Sequence, residues 1–143
     1  MHDRPSLTLR RRLNVPPARV FRAWTVPEKM MQWWGTDGGP TLVAETDLRV
    51  GGAFHVAFCT ADGQRHDVSG IYRAVEPDRK LVFTWAWKTT PERESQVTIT
   101  LRPDGDGTML TLVHEMFADQ KARDDHRGGW TMALDRLEAA IAP

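Results

Sequence analysis

Apolar and polar residues alternate from Leu7 to Leu13, with Leu7, Leu9 and Leu13 on one face and Thr8, Arg10 and Arg12 on the other. That period of two predicts a half-buried strand and divides the Arg10-Arg11-Arg12 run between two faces. Pro16-Pro17 predicts a helix start, because the first helical turn has no use for the missing N–H. Val20, Phe21 and Trp24 form its apolar stripe. A second short helix is expected from 27 to about 33, stopped by Gly35. Thereafter the chain reads as a meander, with strands expected over 42–48, 52–59, 66–75, 80–87, 95–102 and 108–116. Glycine-, proline- and aspartate-rich turns such as Ala61-Asp62-Gly63 and Glu76-Pro77-Asp78 separate them. Short connections favour antiparallel pairing. Finally His126, Trp130, Ala133, Leu134, Leu137 and Ile141 recur at helical spacing, with Asp119 as the expected N-cap of a helix reaching about 140. Gly128-Gly129 inside it predict a kink or a close bulky neighbour, for which the Trp33-Trp34 helix is a candidate. The order is one strand, two short helices, six strands and a long helix. It predicts an α+β helix-grip fold, a seven-stranded antiparallel sheet around the C-terminal helix.

The 143 residues fit one domain spanning 1–143, and 19 basic residues balance 19 acidic ones. Bulk charge therefore gives no attraction to nucleic acid or an anionic membrane. No apolar run approaches the ~18–20 residues of a membrane span, and Met1-His2-Asp3-Arg4-Pro5 does not read as a signal peptide. A cytoplasmic location follows as the expectation. The single cysteine, Cys59, allows no internal disulfide and no structural zinc site. It is expected to be a small buried hydrophobe.

Catalytic templates do not fit. Ser69 lies in Asp67-Val-Ser-Gly70, mid-strand, and not in a Gly-x-Ser-x-Gly elbow. Asp104, Asp106, Thr108 and Glu115 have the spacing of a calcium loop, but Met109 stands where that loop needs glycine, and the segment reads as a hairpin. The five histidines include no His-x-x-x-His pair. No metal and no cofactor are expected, and an enzyme is the less favoured reading.

Several stretches resemble the bacterial members of the heat-shock-protein ATPase activator homology family, within the START-like or SRPBCC superfamily. They are Pro17-Ala-Arg-Val-Phe-Arg-Ala-Trp24, Pro27-Glu-Lys-Met-Met-Gln-Trp-Trp-Gly35, Asp47-Leu-Arg-Val-Gly-Gly-Ala-Phe54, Gly70-Ile-Tyr72, Pro77-Asp-Arg-Lys-Leu-Val-Phe-Thr-Trp85, Thr108-Met-Leu-Thr-Leu-Val-His-Glu115, and Gly129-Trp130 with Leu134-Asp-Arg-Leu137. Together they span nearly the whole chain in the family's order. Val26 departs from the family's usual polar residue and leaves the second helix without a side-chain cap worth about 1 kcal/mol. The family's eukaryotic co-chaperones carry an additional N-terminal domain that these residues do not contain, so their chaperone activation does not transfer with the resemblance.

The more informative composition is six tryptophans against one tyrosine. The resemblance implies a cavity between sheet and long helix, at the wide end over the two short helices. Trp33, Trp34, Phe54, Phe58, His66, Tyr72, Phe83, Trp85, His114, His126, Trp130 and Leu134 are its expected lining. His66, Tyr72, His114 and His126 would be its placed polar groups. The expected function is binding of a small apolar or aromatic ligand, with a stress-related role. Alternatives are a cyclase- or hydrolase-like enzyme acting on a hydrophobic substrate, and a chaperone-interacting protein. The expected assembly is a monomer or homodimer.

Overall fold

The computed structural model describes residues 4–143. Seven strands form one antiparallel sheet: β1 (Leu7–Leu13), β2 (Thr41–Thr46), β3 (Ala53–Cys59), β4 (Arg65–Glu76), β5 (Lys80–Trp87), β6 (Ser95–Asp104) and β7 (Gly107–Glu115), in the order β1-β7-β6-β5-β4-β3-β2. Two short helices, α1 (Pro17–Thr25) and α2 (Pro27–Met30), connect the two outermost strands, and α3 (Gln120–Ala140) follows β7. This is the α+β helix-grip arrangement. The strands match the alternation in the sequence to within two residues at each end.

Alternation sets the inner face. Leu7, His114, Val97, Phe83 and Tyr72 are register neighbours across five strands, and all five are buried. On α3 the buried residues are Trp130, Ala133, Leu134 and Leu137, followed by Ile141, so the predicted stripe is the face that joins the core. Asp119 caps this helix, its carboxylate accepting from the Ala122 N–H at 2.8 Å. Arg11, between Leu9 and Leu13 on β1, reaches Asp135 and Glu138 of α3 at 2.8 and 3.4 Å.

Three local readings change. The second helix stops at Met30, and residues 31–33 continue only as turns. Val26 caps it without a side-chain bond, as expected. Cys59 is half-buried, because it ends β3 on the outward face, paired with Arg65. The glycine pair serves no bulky neighbour and α3 runs through it: a Cβ on Gly128 would meet open space, and one on Gly129 only the Thr36 methyl at 3.6 Å. Gly70 does have a steric reason, since a Cβ there would lie 1.8 Å from the Thr84 carbonyl oxygen. Beside it the Ile71 N–H bonds to the Thr84 hydroxyl at 2.8 Å instead of following the ladder.

Candidate functional site

Six indoles form one connected aromatic body. Trp24 meets Trp33 at 4.8 Å between ring centroids, Trp34 at 5.6 Å and Trp130 at 5.8 Å, while Trp85 meets Trp130 at 5.0 Å and Trp87 at 5.4 Å. Helix α1 supplies Trp24, the turns after α2 supply Trp33 and Trp34, β5 supplies Trp85 and Trp87, and α3 supplies Trp130. Trp33 is fully buried and donates its indole N–H to the Ala23 carbonyl at 2.9 Å. Trp24 and Trp33 thereby fill the space over the short helices.

The space they leave is small, which corrects the expected position of the cavity. Near α1 and α2 lies a void of about 10 Å³, lined by Trp24, Met30, Trp34, Phe54, Tyr72 and Phe83. The open cavity begins on the far side of Trp34 and holds about 660 Å³. Its walls are Trp34, Phe58, Trp85, Trp87 and Trp130, with His66, His126, Gly129 and Ala133. Residues Gly35, Gln64, Arg65, Asp67, Lys88, Thr89 and Asp125 complete the lining. A neighbouring cavity of about 350 Å³ shares Trp85, Trp87, Asp125 and His126 with it.

Of the residues expected to line a cavity, the structure brings Trp34, Phe58, His66, Trp85, His126 and Trp130 to the open one. Phe54, Tyr72 and Phe83 face the small void, whereas Trp33, His114 and Leu134 are packed core. Trp87 is the main omission. It continues the alternation of Phe83 and Trp85, and that signal was sufficient to include it.

Both inner histidines are fixed by indoles. An indole N–H only donates, so the ring nitrogen facing it must be unprotonated. Trp130 Nε1 donates to His114 Nδ1 at 2.9 Å, which leaves His114 Nε2–H to donate to the Ser95 hydroxyl at 2.7 Å. In parallel, Trp87 Nε1 donates to His126 Nε2 at 2.9 Å, and His126 Nδ1–H donates to the Ala122 carbonyl at 2.6 Å. Burial disfavours charge on both rings. It pushes the His114 pKa down to about 2, and it lowers that of His126. Neither ring has a nitrogen left for acid–base work while these bonds persist.

The outer groups are charged and mostly paired. Asp67 accepts from Arg65 at 2.8 Å and from His55 at 2.7 Å, and these hydrogen bonds hold its carboxyl well below the usual range. Donating that bond to Asp67 raises the His55 pKa. Asp125 pairs with Lys121 at 2.8 Å. Lys88 makes no ion pair among the described residues. No group of three or more histidine, cysteine or carboxylate side chains is placed to hold a metal ion among the described residues, and no helix there is long and apolar enough to cross a membrane.

Solved structures share this architecture closely. Protein CV1439 from Chromobacterium violaceum is 32% identical, with a TM-score of 0.87 over 96% of this chain and 97% of that one. The AHSA1 protein from Silicibacter pomeroyi is 30% identical, with a TM-score of 0.83 over 96% and 97%. CalU16 from Micromonospora echinospora is 32% identical, with a TM-score of 0.71 over 96% of this chain and 76% of its own. No curated protein matches the chain. The model of the Activator of Hsp90 ATPase homolog 1-like proteins matches residues 14–142. With that match across nearly all its length and these structural relatives, the chain belongs to the Activator of Hsp90 ATPase homolog 1-like family.

Proposed function

We propose that this protein binds a small, largely aromatic or apolar molecule between the β3–β5 end of the sheet and the first half of α3. The observation that carries the reading is the open cavity of about 660 Å³ walled by four tryptophans and Phe58. Ligand sites typically occupy roughly 300–1,000 Å³ and combine apolar walls with a few polar groups. An aromatic wall of this kind is expensive to keep wet, and a flat apolar ligand releases that water. Enzymatic use of His114 or His126 has less support, because each would first have to break an indole hydrogen bond.

Native mass spectrometry of freshly purified protein tests the reading, together with equilibrium dialysis against tetralin. The expected result is a bound small molecule, or saturable tetralin binding that Gly129→Leu weakens by enlarging a residue of the lining. A bare protein mass combined with no tetralin binding would sink the proposal.

A further inference from the structure

The lining of the open cavity divides by depth. Trp34, Phe58, Trp85, Trp130 and Ala133 are buried, whereas Gln64, Arg65, Lys88, Thr89 and Asp125 are exposed and form its rim. An apolar floor under a wet polar rim fits an amphipathic ligand, its flat body inside and its polar end against water. The charges at the rim bear on what that end is. Among the lysine, arginine and aspartate side chains of the lining, Arg65 and Asp67 neutralise each other at 2.8 Å, and Asp67 also accepts from His55 at 2.7 Å. Asp125 is neutralised by Lys121 at 2.8 Å. Lys88 is the one left without a counterion among the described residues.

The Lys88 backbone N–H bonds to the Asp67 carbonyl at 3.0 Å, which fixes its backbone where β5 leaves the sheet. Its exposed four-carbon stem leaves the ammonium free to range over the rim. We propose that the ligand is an aromatic or apolar acid whose carboxylate stays at the rim and pairs with Lys88. This rests on the cavity reading above and adds the ligand's chemical class to it. A carboxylate at the rim keeps most of its hydration and avoids the penalty it would meet against the indole walls. The two aspartates do not reverse the preference. Each already holds a protein cation, and a ligand cation would have to share one of them while facing Lys88. Hydroxyl or amide groups on the same molecule can still bond to Gln64 or Thr89, and they leave this charge preference unchanged.

The test compares 2-naphthoate with 2-naphthamide, two bicyclic probes of nearly equal shape of which only the first is charged at neutral pH. Equilibrium dialysis gives both affinities for the wild type, for Lys88→Gln and for Lys88→Arg, substitutions at an exposed position that leave the core untouched. An exposed ion pair corresponds to about a two- to five-fold change in affinity. The expected result is that naphthoate binds the wild type more tightly than naphthamide by about that factor at low salt. Lys88→Gln should remove this advantage without weakening the amide, and Lys88→Arg should keep it. Salt at about 1 M should shrink it in the wild type. Naphthoate that binds no tighter than naphthamide, or an advantage that survives Lys88→Gln, overturns the ligand class, and saturable binding of tetralin then leaves the cavity reading standing. Failure of naphthoate, naphthamide and tetralin alike to bind the wild type, with a bare protein mass, overturns both readings.

Discussion

His114 is a titratable group held in the form that cannot titrate. Protonating Nδ1 would place two donors face to face at the Trp130 contact, and burial already disfavours the charge. In the unfolded chain the same ring titrates near its ordinary value of 6.5. Below that pH the unfolded state binds the proton and the folded state does not, so stability falls as pH drops from about 6.5 toward about 2. His126 acts in the same direction. His55, whose pKa is raised by Asp67, acts in the opposite one: its contribution is present below 6.5 and is lost as pH rises through its folded-state pKa. One such group as His114 contributes a slope of about 1.4 kcal/mol per pH unit. Glutamine can accept from Trp130 and donate to Ser95 without titrating. His114→Gln should therefore cost about 1–3 kcal/mol at neutral pH and lose about 2 kcal/mol less than wild type between pH 7 and pH 5. Urea unfolding at the two pH values measures this, and parallel losses would contradict it. The stripe His126-Trp130-Ala133 was legible in the sequence. The pairing of each histidine with one tryptophan was not, because Trp130 and His114 come together only when α3 closes on β7.

Among the elements, the two most instructive glycines lie on α3 and β4. Gly128 has helical neighbours and open space where a Cβ would sit, so its only effect is to loosen the helix. Gly128→Ala should raise stability by about 0.5–1 kcal/mol. Gly70 has the Thr84 carbonyl in that space, and Gly70→Ala should lower stability by about 2 kcal/mol or more through overpacking. Denaturant midpoints read both signs, and the same sign for the two would refute the argument. Sequence alone treated a glycine pair as a sign of crowding, and here that inference fails for Gly128 because helix surfaces can carry glycine for no steric reason. The strands were legible because alternation is a local signal. The end of α2 at Met30 was harder to read: Met31 and Gln32 continue a helical composition, but the chain must turn to bury Trp33 and Trp34.

Across the whole molecule, the cavity depends on distances in sequence that no local pattern carries. Its lining draws on the turns after α2, the β3–β4 hairpin, the end of β5 and the first half of α3. Aromatic residues at those places were visible as a set, and Phe58, Trp85 and Trp130 were readable as wall. Gln64, Arg65 and Lys88 were not, because only the curvature of the sheet brings strand ends to the helix. Phe54, Tyr72 and Phe83 share the inward face with Trp85 but lie behind Trp34.

The continuity of the six indoles has an optical consequence. Each ring is linked to the others by centroid steps of 4.8 to 6.2 Å, close enough for excitation absorbed by one to migrate to its neighbours before it is emitted. The protein's ultraviolet emission should then behave as one collective emitter instead of six separate ones. A quenching molecule bound in the open cavity, which Trp85 lines, would darken the buried Trp24 and Trp33 as well, although neither ring lines that cavity. Titration with 1-tetralone, a flat bicyclic ketone that quenches indole emission, should therefore remove well over the share of emission due to the cavity-lining rings, with a shortened excited-state lifetime. Loss limited to those rings would mean that the cluster does not share its excitation.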